Sequence, residues 1–510
     1  MEKSISMSNL NKFSTLFQNI LVLFSFLGVV SILLILILKN QYAFFIITIL
    51  WFSAFATFIL PIRHQLIILW IILPFIDFIK RLAYYDFNTT NTQIYLILFA
   101  TDVILFLVLF KDIFGSLTKP IKINLTFLDI AVFLFFLISL FSSLVLSKAP
   151  IIARLATSGM WVWPMVAYYL FGKYFNTRDL VFPLIRLSVL IGLVVALYGI
   201  RQFFWGYLPF EEEWFLRASS SENVSSLQAY HIKRGVFRTF ATMDSHSSYG
   251  IFLGITLIFS WIIGPVKRHL FSIISYFILI FGLILSFTRF TYLMPIIAAA
   301  FIVIFIFERI RPIIRFRKFR RVSWMLICII FSFFIFYLIM NFLYNYDVVP
   351  ALSNPYLKRV FGTGTLSARL RIEDFYSAGS LLSLFGSGLA NSSFFASKFS
   401  FSSSDVNFHN IFLDMIGSLG IIGILSFIAF MYFSIRHSLF LIYLEQDLKS
   451  RRLLIGLFSL VIGMLIIGHF NGAVFYFGRA IPVYFWAIVG ILAHYQVVSP
   501  NPLNDKNLCI

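Results

Sequence analysis

The sequence predicts an all-α polytopic membrane protein with about 12–14 transmembrane helices and two long extracytoplasmic loops, the larger of them partly helical. Two observations lead to this prediction. Of the 510 residues, 60% are hydrophobic and only 12% are charged, which leaves more apolar surface than a soluble protein of this size can bury. The apolar residues also form continuous runs without polar alternation, so the spanning segments should be helices rather than barrel strands.

Apolar runs of spanning length occur about fourteen times along the chain. The first run has no cleavage site of the A-x-A type, so we expect it to remain as a helix. The run 159–176 is short and is interrupted by Trp163 and Pro164. The full set is 16–38, 41–60, 64–79, 94–111, 125–146, 159–176, 180–205, 247–264, 270–287, 290–307, 322–343, 409–435, 453–470 and 476–497.

The distribution of Lys and Arg predicts that both termini are cytoplasmic. Cytoplasmic loops carry an excess of basic residues, and the densest basic cluster lies between Arg309 and Arg321. We therefore attribute the net charge of +19 mainly to such loops and not to nucleic-acid binding. The predicted divisions are N-terminal transmembrane helices (1–205), an extracytoplasmic loop (206–246), central transmembrane helices (247–343), a large extracytoplasmic loop (344–408), C-terminal transmembrane helices (409–497) and a cytoplasmic tail (498–510).

Within the larger loop, the stretch from Ile372 to Leu384 has a helix-like pattern and could lie along the membrane interface. The two cysteines, Cys328 and Cys509, exclude a disulfide framework and a Cys metal site. Acidic residues outside are sparse and form no D-x-D pattern, so the sequence predicts no metal site.

Basic residues in the segments predicted to lie outside are exceptions to the charge bias. Arg289 lies between two apolar runs, and Arg201 lies at the outer end of another. An arginine at this depth is costly unless it snorkels to the headgroups or meets an anion, and both readings stay open. The outer basic residues include His231, Lys233, Arg234, Arg238, His246, Arg289, Lys358, Arg359, Arg369, Arg371 and His409.

These residue types suit chemistry on a phosphorylated sugar. The planar fork of arginine matches phosphate oxygens, and histidine can accept a proton from a sugar hydroxyl near neutral pH. His409 ends a serine-rich polar run and precedes a long apolar helix, in which Gly417, Gly420 and Gly423 recur at three-residue steps. The same pattern is also typical of a helix cap followed by close helix packing.

Five patches occur in one order along the second half of the chain and carry a resemblance. They are YGIRQFFWG, FRTFATMDSHSSYGIFL, LSFTRFTYL, the pair SARLRIEDFY and LFGSGLANS, and FHNIFLDMIGSLGIIG. Together they resemble the O-antigen ligase and O-antigen polymerase superfamily of bacterial membrane proteins. The matching residues are Gly199, Gln202, Arg238, Thr242, Gly250, Arg289, Arg369, Gly386, Gly388, His409, Asn410, Leu413, Gly420 and Gly423, whereas Met243, Ser245, His246, Thr288 and Ala368 depart from the family pattern.

The resemblance implies a metal-independent, inverting glycosyltransferase of the bacterial cytoplasmic (inner) membrane, with its active site facing outside and without a cofactor. The donor would be a glycan on undecaprenyl diphosphate, and the acceptor would be lipid A-core for a ligase or another lipid-linked repeat unit for a polymerase. By the same resemblance, His409 would be the catalytic base, and Arg238 and Arg289 would hold the diphosphate. Arg369 would assist, with Arg371 as a nearby substitute; Arg201, Arg234, His246 and Asn410 are further candidates.

A transporter or flippase of a lipid-linked glycan is the alternative. Such a protein also needs many helices and basic residues, but it should carry polar or charged groups deep in its helices along a path. The deep ionisable residues are few, namely Asp77, Asp102 and Arg186, whereas the polar groups concentrate at one face. This distribution favours chemistry at the membrane surface.

Overall fold

A computed structural model of the chain describes residues 46–51, 55, 59–83, 91–117, 126–220, 238–264, 269–310, 384–389, 411–470, 474–475 and 479–497. The regular structure of these residues is helical, and no strand occurs among them. The predicted all-α class is therefore confirmed for this part of the chain.

Several described helices are long and apolar enough to cross a membrane, as the prediction of a membrane protein requires. The predicted total of 12–14 includes runs 16–38 and 322–343, which lie outside the described residues. Five helices meet both criteria, Phe127–Leu146, Arg178–Trp205, His246–Ile263, Met415–Leu444 and Leu448–Gly468, and three shorter helices are also apolar, Ile273–Leu285, Thr291–Phe301 and Ala480–His494.

The chain divides into two compact units. The smaller unit comprises Met1–Lys122 with Tyr207–Arg217, and the larger unit comprises Ile123–Gly206 with Ala218–Ile510. The described helices of the smaller unit before residue 122 are α1 (Ile62–Ile72), α2 (Ile76–Ala83) and α3 (Asn91–Leu117).

A single 3₁₀ turn, Leu73–Phe75, joins α1 to α2. Pro74 lies inside this turn, and proline has no N–H to continue an α-helical hydrogen-bond ladder. Both α1 and α2 pack against α3, and the buried side chains of Ile76 and Ile97 contribute to the core between them. The predicted run 64–79 therefore falls on two consecutive helices that a proline-containing 3₁₀ turn connects.

The remaining described helices belong to the larger unit, except that most of α8 (Pro209–Ser220) belongs to the smaller one. In chain order they are α4 (Phe127–Phe141, continued by a π-helical turn at Ser142–Leu146), α5 (Ile151–Trp161), α6 (Val166–Tyr174), α7 (Arg178–Trp205), α8, α9 (His246–Ile263), α10 (His269–Leu285), α11 (Arg289–Ile310), α12 (Ile411–Leu444), α13 (Leu448–Phe470) and α14 (Ala480–His494). Within the larger unit, α12 packs on α4, α14 packs on α6, α9 and α10 pack on α7, and α11 packs on α13.

Three local features go beyond the sequence prediction. A 3₁₀ turn at Trp163–Met165 divides the predicted run 159–176, because Pro164 interrupts the helix there. Gly420 kinks α12 with a φ of 70°, a backbone conformation that glycine adopts without strain. The helix α8 lies inside the predicted loop 206–246, where the sequence reasoning expected no helix.

A buried ion pair fastens α8 to α2 within the smaller unit. The guanidinium Nη1 of Arg81 lies 3.7 Å from Oε1 of Glu211, and both side chains are buried. The ring of Trp214 lies beside the cationic groups of Lys80 and Arg81, and Lys80 also bonds Asp77 at 2.8 Å. Burial and the neighbouring Glu211 carboxylate raise the pKa of Tyr207, because both disfavour a phenolate.

Replacing Arg81 alone by leucine should lower the free energy of unfolding by about 3–5 kcal/mol, because Glu211 would remain as an uncompensated buried charge. Thermal unfolding of the purified protein in detergent would measure this loss. Replacing Arg81 and Glu211 together by leucine should restore most of the stability, since no charge is then stranded. A double variant as unstable as the single variant would contradict this account.

In the larger unit, Asp129 ties three helices together at the ends that the sequence places on the cytoplasmic side. Its Oδ2 accepts hydrogen bonds from the backbone N–H and hydroxyl of Thr126, at 2.8 and 2.7 Å. Its Oδ1 accepts the hydroxyl of Tyr168 at 2.6 Å and lies 3.1 Å from Nε2 of His494. One buried carboxylate therefore links the start of α4 to α6 and to the end of α14.

The same crossing of α6 and α14 depends on two glycines. A Cβ added at Gly490 would overlap the carbonyl oxygen of Tyr168, and one at Gly172 would overlap the His494 ring and the backbone of Gly490. The two helices approach so closely because neither residue has a side chain.

Gly490→Ala should therefore destabilise the protein strongly, because the obstacle is backbone, which cannot move aside without separating the helices. We expect a loss of at least about 2 kcal/mol, measured by thermal unfolding in detergent. Gly115→Ala is the matched control, since a Cβ there meets nothing within 4 Å and alanine is the better helix former. Equal stability of the two variants would refute the close-crossing explanation.

Candidate functional site

Three of the sequence patches meet in the larger unit. They are the end of α7, the segment from Arg238 to Ser245 that precedes α9, and the turn between α10 and α11. The sequence placed all three on the extracytoplasmic side. Hydrogen bonds connect the segment 238–245 to both of the other elements, so the three patches form one structural site.

Gln202 connects α7 to the segment 238–245. Its side chain is fully buried, and its Oε1 accepts the backbone N–H groups of Phe240 and Ala241, each at 3.0 Å. Ala241 has a φ of 48°, which is strained for a residue with a side chain. The surrounding contacts must therefore hold this turn in place.

Arg238 and His246 form a direct pair at the two ends of the same segment. Nη1 of Arg238 lies 2.6 Å from Nε2 of His246. A guanidinium can only donate, so a hydrogen bond between these two atoms requires Nε2 of a neutral imidazole as the acceptor. His246 is also the first residue of α9, which Ser245 caps through a bond from the N–H of Ser248.

The turn between α10 and α11 completes the site. The hydroxyl of Thr239 donates to the carbonyl of Leu285 at 2.9 Å, and the hydroxyl of Thr288 approaches the carbonyl of His246 at 3.4 Å. Phe287 has a φ of 46°, the second strained residue of the site. The next helix starts at Arg289, whose backbone is described and whose side chain is not.

Small residues allow these helices to approach closely behind the site. A Cβ at Gly199 would overlap the hydroxyl of Tyr249, and one at Gly250 would lie 2.6 Å from Oγ1 of Thr291. Both glycines belong to the patches on which the family resemblance rests. Their role in this chain is to let α9 pack tightly against α7 and α11, which fixes the start of α9.

The helices α9 and α11 both begin at the site, and a helix N-terminus carries a partial positive charge. Arg238 adds a full positive charge beside the start of α9. One acidic residue, Asp244, lies in the same segment. The buried hydroxyl of Thr242 has no hydrogen-bond partner among the residues that the structure describes. This arrangement suits an anion with several oxygens.

A second junction joins the fourth and fifth patches. The N–H groups of Ser387 and Gly388 donate to the carbonyls of Gly417 and Ser418, at 2.9 and 3.0 Å. Gly386 and Gly388 have positive φ values of 71° and 98°, and a Cβ at Gly386 would overlap the backbone at Ser418. The segment 384–389 is therefore fixed against the first part of α12, beside the kink at Gly420.

The remaining predicted site residues have different outcomes. Arg201 donates through Nη1 to the carbonyl of Gly206 at 2.8 Å, so it stabilises the end of α7. Arg234, Arg369, Arg371, His409 and Asn410 lie outside the described residues. Their roles stay predictions. Among the described residues, no group of three or more His, Cys, Asp or Glu side chains could hold a metal ion.

Sequence reasoning missed two basic residues near the predicted outer ends of helices. Arg154 bonds the carbonyls of Ala149 and Leu144 and thereby closes the π-helical turn that ends the α4 segment. Arg479 is buried immediately before α14. Arg154 lies in the junction between the predicted runs 125–146 and 159–176, and Arg479 lies near the start of the run 476–497. A search for basic residues at the ends of these runs would have found them.

Comparison with known proteins adds no assignment. No protein-family model matches the chain, and no curated protein matches it.

Proposed function

We propose that this protein is a glycosyltransferase of the O-antigen ligase or polymerase type in the bacterial cytoplasmic membrane. It would move an oligo- or polysaccharide from undecaprenyl diphosphate to a sugar hydroxyl at the outer side of the cytoplasmic membrane. The acceptor would be lipid A-core or another glycan. Both termini would be cytoplasmic.

The observation that carries this proposal is the junction of three separated patches around Arg238. The end of α7, the segment 238–245 and the turn before Arg289 are far apart in sequence, yet hydrogen bonds join them. Tight packing alone needs neither a cation at the junction nor two strained residues beside it. Strain held in place by surrounding contacts clusters at functional sites.

The chemistry of the junction fits the leaving group of glycosyl transfer. As the bond from the anomeric carbon to the diphosphate oxygen breaks, negative charge grows on the diphosphate. Arg238, Arg289 and the N-terminal amides of α9 and α11 would stabilise that charge. This set of donors would take the part that a divalent cation plays in other transferases.

The acceptor hydroxyl would supply the attacking oxygen. Its lone pair forms the new bond to the anomeric carbon from the face opposite the diphosphate, so the configuration inverts. The hydroxyl proton passes to the imidazole of His409, and the lipid diphosphate departs with the electrons of the broken bond. Arg369, with Arg371 nearby, would contact the donor from the large loop.

Deletion of the gene in its native host tests the proposal. Loss of a polymerase should leave glycans capped with single repeat units, whereas loss of a ligase should leave long chains on the lipid carrier. Gel laddering of extracted glycans separates these outcomes. Accumulation of lipid-linked repeat units on the cytoplasmic face would instead support a flippase, and unchanged glycans would contradict all three functions.

A further inference from the structure

We infer that Gln202 is a positioning residue: its side-chain oxygen holds the strained turn at Phe240 and Ala241 and thereby fixes where Arg238 presents its guanidinium to a diphosphate. This inference rests on the proposed function for its ligand. The geometry of the turn itself stands independently of that function.

The first step is that the turn at Phe240 and Ala241 needs the side-chain oxygen of Gln202 as a hydrogen-bond acceptor. The residues Phe240 and Ala241 are buried, and their two N–H groups both point at one oxygen of Gln202. Buried backbone N–H groups are nearly always paired, and leaving them unpaired is costly. Without Gln202, the turn would have to move to find other acceptors.

The second step is the strain. The backbone at Ala241 has a φ of 48°, and a non-glycine residue keeps such a conformation only when its surroundings impose it. On one side the turn is held by Gln202, and on the other by the bond from Thr239 to Leu285. Loss of the Gln202 oxygen should let Ala241 relax towards a negative φ.

The third step connects the turn to the cation. Arg238 lies two residues before Phe240, and its bond to His246 spans the whole segment. A change of backbone direction at Ala241 would therefore shift the distance between Arg238 and the start of α9. Gln202 would act on the anion through Arg238, without touching the anion itself.

Gln202→Met tests this inference, because methionine keeps the length of the side chain and loses the amide oxygen. Hydrogen exchange measured by mass spectrometry should show the amides of Phe240 and Ala241 exchanging at least about tenfold faster than in the wild-type protein. Gln202→Glu keeps an acceptor at the same position and should retain most of the protection. The control is Ser188→Ala, which removes only a bond to Leu184 within α7.

Binding of inorganic diphosphate to the purified protein in detergent gives the second readout. Gln202→Met should weaken binding about tenfold, and combining it with Arg238→Ala should add little beyond Arg238→Ala alone. Unchanged exchange in Gln202→Met, or faster exchange with unchanged diphosphate affinity, would overturn the inference. If the wild-type protein binds no diphosphate, the proposed function fails, while the exchange experiment still decides whether Gln202 holds the turn.

Discussion

Arg238→Ala should reduce glycan transfer about 10²-fold or more, the loss typical when one preorganised donor to a developing negative charge is removed. The expected loss is large because the guanidinium of Arg238 lies at the junction of α7, α9 and the turn before α11, in contact with the first residue of α9. The variant also leaves Nε2 of His246 without the donor that now lies 2.6 Å away. Transfer in cells, followed by glycan gels at matched protein levels, measures the effect.

Two variants separate the role of Arg238 from a general effect of charge. Arg186→Ala removes an exposed arginine from α7 and should leave transfer unchanged. Arg238→Lys keeps the charge but loses the planar fork that binds two phosphate oxygens at once, so it should recover only a small part of the activity. Wild-type transfer by Arg238→Ala would remove this residue from the site.

The sequence located several of the apolar helices and the patches that contain Gln202, Arg238 and Arg289, whereas the functional roles of these residues stay predictions. Runs of apolar residues located α4, α7, α9 and α13 because lipid demands continuous apolar segments with internally paired backbones. The patches around Gln202, Arg238 and Arg289 came from the family resemblance. That these patches lie close together follows from the packing of α9 against α7 and α11, which the sequence does not specify.

Other features could not be predicted because they depend on partners distant in the chain. Arg81 and Glu211 are separated by 130 positions, and the local sequence around either residue does not predict that the two charges are buried together. Asp129 reads locally as a helix-capping residue, which it is, but its bonds to Tyr168 and His494 require the folded bundle. The positive φ of Ala241 could not be predicted from the sequence either, because alanine is not a residue type that indicates a strained turn.

The second large effect concerns His409, which lies two residues before the described start of α12. We expect His409→Ala to reduce transfer about 10²- to 10⁴-fold, the range for loss of a general base, while membrane insertion continues normally. The base removes the proton of the acceptor hydroxyl as the new bond forms, and alanine cannot do this. Glycan gels and the amount of protein in the membrane fraction are the two measurements.

The expected split between activity and insertion is what identifies a catalytic role for His409. A residue needed only as a helix cap would affect folding, and α12 is held independently by the bonds from Ser387 and Gly388 to Gly417 and Ser418. Removing one imidazole at the helix start should therefore leave α12 in place. His64→Ala, which removes an exposed histidine from α1, is the matched control. Full polymer formation by His409→Ala would show that another group accepts the proton.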